Sequence, residues 1–319
     1  MNYQHLYHAG NFADVIKHLI LCLCLEKFYE KESPFLAIDT HAGTSKYQLK
    51  QAYDLNSFEA DLGIKNILQR DDFQEILPLS FLKILAKINV CEISELPNKL
   101  KYYSGSGQII KNFLRFHDQA IFAEKSPQVF QELRRNFAGN KKIFCCNVDG
   151  FSLLKSKLPP LQGRGLILID PAYEKFSEKI SPDYLKSLEA LREGHKRFAH
   201  GIYILWYPIV DAQEHILSDF YQKINQLKFT KILQVLFGLE NHGTSPNHQL
   251  SYNYQIYDFV NKNLLKKSAL PLAKTSSPRS ANLSQYSSKM NSCGVFIFNA
   301  PFQLEDKIAN FLNKICQKN

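Results

Sequence analysis

Short apolar runs recur along the chain from residue 35, each closed by an acid, a proline or a glycine. The runs are Phe35-Leu36-Ala37-Ile38-Asp39, Gln119 to Glu124, Lys142 to Cys146, Gly165 to Asp170, and Gly201 to Tyr207. They are too short for helices and continuous in apolar character, which predicts strands buried on both faces. Helix-like stretches separate them. The one after Glu124 opens with Ser126-Pro127, a proline suited to a first helical turn. Such alternation predicts a parallel sheet covered on both sides, a doubly wound α/β domain.

Two regions depart from that rhythm. Residues 49–101 carry helical periodicity through Ile76, Leu77, Leu79, Phe81, Leu82, Ile84 and Leu85. They are expected to form a small helical subdomain between the first strand and its helix, with 1–48 plus 102–319 as the main domain. Phe229 to Leu239 and Gly294 to Phe298 read as two further β-rich runs. The polar segment 241–290 between them is too long for an ordinary connection. It is expected to be an insertion, at least partly mobile.

Composition narrows the class. An apolar content of 45% over 319 residues allows one large domain or two ordinary ones. No run approaches the length needed to span a membrane. The opening MNYQHLYHAGNFAD lacks a basic start and an apolar stretch, so a cytoplasmic location is expected. The 7 cysteines are odd in number and form no C-x-x-C pair, which argues against a zinc site and a disulfide framework; no metal is expected. A net charge of +9 suits a polyanionic partner such as nucleic acid. Within 241–290, Lys262, Lys266, Lys267, Lys274, Arg279 and Lys289 face a single acid, Asp258.

The strand ends carry the candidate chemistry. Ligands of open α/β sheets bind outside the carboxyl ends of the strands, which places Asp39, Glu124, Asp149 and Asp170 along one edge. The loop after the first strand, Asp39-Thr40-His41-Ala42-Gly43-Thr44-Ser45, is neither a dinucleotide fingerprint nor a P-loop. Four acids would repel a phosphate-rich cofactor. They suit S-adenosylmethionine, which has a ribose, an adenine and a sulfonium but no phosphate. Glu124 is placed to accept from ribose hydroxyls, and Gly150, after Asp149, would let a flat ring approach. Any one acid could instead cap the following helix.

Asp170-Pro171-Ala172-Tyr173 follows the fourth strand. The amino group of adenine is a poor nucleophile because its lone pair is delocalised into the ring. Asp170 and the Pro171 carbonyl, each accepting one N–H, would draw that lone pair out of conjugation. Asp170 could then take the released proton, and Tyr173 offers a ring on which a flipped base can stack. The rival reading is a helix start, with Asp as N-cap and Pro at the first position.

With these residues in view, the chain resembles the bacterial 23S rRNA adenine-N6 methyltransferase family that modifies adenine 2030. The resemblance lies in YQHLYHAGNFADVIKH, DTHAGTSKYQL, YYSGS, AEKSP, DGF, RGLILIDPAYE and KRFAHGIYILWYP, in that order. It covers roughly residues 1–240 and 290–312. It implies a Rossmann-like S-adenosylmethionine-dependent methyltransferase fold with a small helical insertion, acting as a monomer on protein-free 23S rRNA. It also implies cofactor contacts at His18, His41, Ser106, Glu124, Asp149, Gly150 and Asp170, with Asp170 as proton acceptor and Tyr3 touching the RNA. Lys17 is a candidate phosphate contact.

Three features depart from the family pattern. Ala172 replaces the second proline of D-P-P-Y, Ser45 replaces a glycine near the cofactor, and residues 241–290 are extra. Other readings remain open at this level: a DNA adenine or a protein glutamine as acceptor, or a non-catalytic RNA-binding homologue.

Overall fold

The first of the apolar runs becomes the axis of the molecule. In the computed structural model, which describes residues 5–173, 181–209, 214–241, 250–268 and 292–317, β1 (Leu36–Asp39) is buried along its whole length. Before it lies α1 (Phe12–Glu26), capped by Asn11, whose side chain accepts from the Asp14 amide at 2.8 Å. Only the last residue of α1 escapes burial, so this helix is apolar all round and runs through the core.

After β1 the chain forms β2 (Lys46–Gln48) and five short helices, α2 (Leu49–Asp54), α3 (Ile64–Leu68), α4 (Phe73–Ile76), α5 (Leu79–Asn89) and α6 (Leu96–Lys99). It returns through β3 (Tyr102–Ser104), which pairs antiparallel with β2. Ile64, Phe81, Leu82 and Leu85 of this helical stretch join the same apolar cluster as α1. The rest alternates strand and helix: α7 (Ser106–Phe113), β4 (Gln119–Ala123), α8 (Pro127–Asn136), β5 (Ile143–Cys146), α9 (Gly150–Lys157), β6 (Gly165–Ile169), α10 (Pro182–Arg197) and β7 (Ile202–Ile209). Then come α11 (Glu214–Asn225), β8 (Ile232–Asn241), β9 (Leu250–Asp258), β10 (Asn263–Lys267), β11 (Ser292–Phe298) and α12 (Leu304–Cys316).

Nine strands form one sheet in the order β10-β9-β8-β11-β7-β6-β1-β4-β5. From β7 to β5 every pairing is parallel, whereas β11 lies antiparallel between β7 and β8. This is a Rossmann-like α/β fold, as the alternation of apolar runs predicts. Successive residues face opposite layers: Leu36 and Ile38 pack in one core with α9, α10 and α11, and Ala37 in the other with α1, α7 and α12. That double burial is why the strands read as unbroken apolar runs. No helix among the described residues is long and apolar enough to cross a membrane.

The reading of 241–290 as an insertion needs correction. Residues 250–258 and 263–267 are strands of the main sheet, and β9 pairs with β8 from Leu233↔Asp258 to Asn241↔Leu250. Tyr252, Tyr254 and Ile256 alternate into the core, and the Tyr252 hydroxyl donates to the Leu62 carbonyl at 2.9 Å. The apolar core residues of β9 come at every second position among Ser, Asn and Gln, so polar composition masks the alternation. Residues 242–249 and 269–291 lie outside the described residues.

Candidate active site

The sheet order reverses between β1 and β6, which pair with each other in parallel register, with β4 on the far side of β1 and β7 on the far side of β6. In such sheets the crevice at the reversal, beyond the strand carboxyl ends, is the binding position. Asp39 closes β1 and Asp170 follows β6, so the two acids flank it.

Asp39 is fully buried; it accepts from the Ser106 hydroxyl at 2.6 Å and from the His41 amide at 3.1 Å. Burial pushes its carboxyl up to about 6, against those hydrogen bonds. A raised carboxyl favours the folded state while protonated, and that stability is lost as pH rises from the ordinary 3.8 through about 6. Asp39→Asn keeps both partners without the charge. Its stability advantage over the parent is expected to grow from near zero at acid pH to roughly 3 kcal/mol above pH 6, at about 1.4 kcal/mol per unit. Paired denaturant titrations from pH 4 to 8 measure it; a pH-independent difference would refute it.

Glu124, just past β4, accepts from the Ser126 amide at 2.7 Å, and its carboxyl is raised, chiefly by burial. Asp149 caps α9, accepting from the Phe151 and Ser152 amides at 3.0 and 3.4 Å, so it serves as the helix cap that the alternative reading foresaw. Gly150 owes its identity to the protein itself: a Cβ there would lie 1.7 Å from the Thr40 carbonyl oxygen. This close approach brings the start of α9 against the loop after β1, where His41 packs edge-on to Phe151 at 4.7 Å. Gly150→Ala is therefore expected to destabilise by 1–3 kcal/mol, the range for overpacking, readable as a lowered melting temperature. Burial pushes His41 down to about 4, so its ring is neutral at pH 7. His18, in the middle of α1, is held to about 3 by burial and hydrogen-bonds through Nδ1 to the Tyr103 hydroxyl at 2.8 Å.

Lys17 does not face solvent as a phosphate contact should. It is 4% exposed, and its Nζ bridges Asp14 Oδ1 at 2.7 Å and Asp170 Oδ2 at 2.5 Å. Burial opposes its charge, but the Asp14 and Asp170 carboxylates outweigh burial and hold it protonated. Asp14 also accepts from the Gly10 amide and pairs with His5 Nε2, both at 3.1 Å. A cation enclosed by two carboxylates has little attraction left for a phosphate, so the expected RNA role of Lys17 is replaced by one in orienting Asp170. Sequence reasoning missed Asp14. Its signal is the Asp-x-x-Lys spacing one helical turn apart inside an otherwise apolar helix.

Asp170 Oδ1 and the Pro171 carbonyl make no hydrogen bond among the described residues. Tyr173 differs from expectation. It is fully buried, its ring lies 4.6 Å from Tyr184 and 5.8 Å from Trp206, and its hydroxyl donates to the Trp206 carbonyl at 2.9 Å. With no free face it is not a stacking platform in this arrangement. It anchors the loop after Asp170 to β7, at a left-handed φ of 48° that costs about 1–2 kcal/mol in a non-glycine residue.

Ser45 also sits in the left-handed region, at φ 63°. Its hydroxyl donates to the Ala42 carbonyl at 3.0 Å and fills the space over Gly107, where a Cβ would meet it at 2.2 Å. Tyr3 lies outside the described residues.

The comparisons with known proteins fit this geometry. Residues 32–248 match the family model RsmJ, described as ribosomal RNA large subunit methyltransferase D, RlmJ. The chain belongs to this family. Ribosomal RNA large subunit methyltransferase J of Escherichia coli K12 is 40% identical over 235 residues, covering 74% of this chain and 79% of that protein. The Haemophilus influenzae Rd protein of the same name is 37% identical over 214 residues, 67% of this chain and 72% of its own. The crystal structure of LPL1258 from Legionella pneumophila superposes with a TM-score of 0.70 at 25% identity, covering 97% of this chain and 94% of that one. The family match takes in β1, β4, β5, β6 and β7, and with them Asp39, Glu124, Asp149 and Asp170. Methyl transfer to large-subunit ribosomal RNA is the activity that the family name carries.

Proposed function

We propose that this protein methylates the exocyclic N6 of an adenine in 23S rRNA, at the family's adenine 2030, with S-adenosylmethionine as donor. The reading rests above all on Asp170 Oδ1 and the Pro171 carbonyl, two acceptors with no hydrogen bond among the described residues, at the point where the sheet order reverses. The donor set suits the cofactor. The edge offers carboxylates at Asp39, Glu124 and Asp149, and its buried cation Lys17 is already neutralised, so a phosphate-free cation with ribose hydroxyls matches it. Glu124 would receive the ribose, and Asp39 with Ser106, His18 and His41 would line the remainder.

S-adenosylmethionine, when bound, supplies a sulfonium-borne methyl group. The chain's own groups prepare the acceptor. Lys17 holds one oxygen of Asp170 and leaves the other for an amino N–H, while the Pro171 carbonyl takes the second N–H. Both contacts weaken conjugation of the nitrogen lone pair with the ring, and Asp170 accepts the proton lost after transfer. An adenine within a helix cannot reach these atoms, so the base must leave its stack. Ala172 belongs to neither acceptor, and a compatible proline there would add only about 0.4–1 kcal/mol. We take the protein to act as a monomer in the cytoplasm on protein-free RNA.

The test is transfer of labelled methyl to naked 23S rRNA, with the product nucleoside identified by mass. N6-methyladenosine is expected. Label on another base, or transfer only to DNA or to a protein glutamine, would refute the reading.

A further inference from the structure

One edge of the sheet ends in β5, which has no neighbouring strand on its outer side among the described residues. Two apolar side chains beside it are uncovered: Phe144 of β5 is 48% exposed, and Leu161, in the loop after α9, is fully exposed. Between α8 and α9 this edge forms a groove of about 980 Å³ that Phe130, Arg134, Phe144, Cys145, Lys157 and Leu161 help to line.

An open hydrophobic edge could pair with another strand. The charge around it selects a different occupant. Residues 125–164 carry eight Lys and Arg against two acids, Glu132 and Asp149, in a chain whose net charge is +9. Arg134, Arg135, Lys141 and Lys157 are exposed and enter no ion pair among the described residues. Excess cationic groups beside an exposed aromatic ring suit a polyanion with flat apolar faces, which is single-stranded nucleic acid.

We infer that the groove along β5 docks a single-stranded RNA segment flanking the methylated base. Its phosphates lie against Arg134 and Lys157, and one base stacks on Phe144. This inference rests on RNA being the substrate. The carboxyl end of β5 abuts Glu124, whose amide donates to the Cys146 carbonyl at 3.1 Å. From β5 the order runs through β4 and β1 to β6. Strand spacings of ~4.8 Å put Asp170 roughly 15 Å to the side, and the groove, lined by Leu36, Gln119 and Ile143 at the starts of β1, β4 and β5, lies about a strand length further toward the amino ends. A single strand of several nucleotides spans that offset.

The test is fluorescence anisotropy of the full-length protein with a labelled single-stranded 23S rRNA oligonucleotide over a range of salt concentrations. Arg134→Glu with Lys157→Glu is expected to weaken binding at least ~10-fold. It should also flatten the slope of log K against log salt by about 1.4, at ~0.7 per phosphate contact. Phe144→Ala is expected to lose ~5-fold or more, the low end for one stacked base. Lys267→Glu, exposed on β10 at the opposite edge, should bind like the parent. Unchanged S-adenosylmethionine binding by calorimetry in each variant shows that fold and crevice are intact. Parent-like RNA binding by both groove variants overturns the inference, and so does an equal loss in Lys267→Glu. Binding is read without methyl transfer, so a failed methylation assay bears on the base and the chemistry and leaves this result standing.

Discussion

Asp170→Asn is expected to slow methyl transfer by about 10²–10⁴-fold, the usual contribution of a positioned acid–base group. The substitution keeps the shape of the side chain and removes the charge that receives the proton. It also replaces a carboxylate that Lys17 grips at 2.5 Å with a neutral amide, so the orientation of the acceptor oxygen loosens. Single-turnover rates at saturating RNA isolate the step. RNA affinity should change little, because phosphate contacts carry most of it. A rate within three-fold of the parent would remove Asp170 from the chemistry and with it the proposed mechanism.

Lys17→Met is the second large effect, and stability carries it. Asp14 and Lys17 are 3% and 4% exposed, and the Asp170 side chain is 13% exposed, so removing the cation strands two carboxylates. Breaking a buried ion pair from one side typically costs about 3–5 kcal/mol. At roughly 2 °C per kcal/mol for a chain of this size, melting should fall by about 6–10 °C. Adding Asp14→Asn to Lys17→Met should recover part of that loss, since the partners are coupled. The Asp14 carboxyl is depressed because His5 and Lys17 outweigh burial, so its stabilisation is present above the ordinary 3.8 and is lost as pH falls below it. Lys17 is raised, so its contribution persists at neutral pH and is lost only as pH climbs beyond the usual lysine range. Thermal melts of both variants at pH 7 decide the matter: strict additivity, or a fall below 2 °C, would mean that the ion pair contributes little.

Much of the fold was legible because strands buried on both faces must be apolar throughout. β1, β4, β6 and β7 announce themselves in this way, and so do β8 and β11; β5 reads the same although Phe144 is 48% exposed. β9 does not, because it alternates its core-facing Tyr and Ile with Ser, Asn and Gln. The acids were legible for a related reason. A carboxylate that ends an apolar run has to lie at the edge of the sheet, and all strands from β5 to β7 point the same way. What each acid does there was not legible. Asp149 spends one oxygen on the first turn of α9 and turns the other toward Lys125, Asp39 is sealed under Ser106 and His41, and Oδ1 of Asp170 makes no hydrogen bond among the described residues.

The order of strands along the chain, the apolar layers and the row of acids follow from the sequence alone, because local periodicity and burial on two faces dictate them. The roles of Lys17, Tyr173 and Gly150 were decided only in three dimensions. Lys17 meets Asp170 across 153 residues, Tyr173 turns inward onto β7, and Gly150 makes room for the Thr40 carbonyl. Charge pairing and close contact depend on which distant segments the sheet brings together, and no local pattern carries that information.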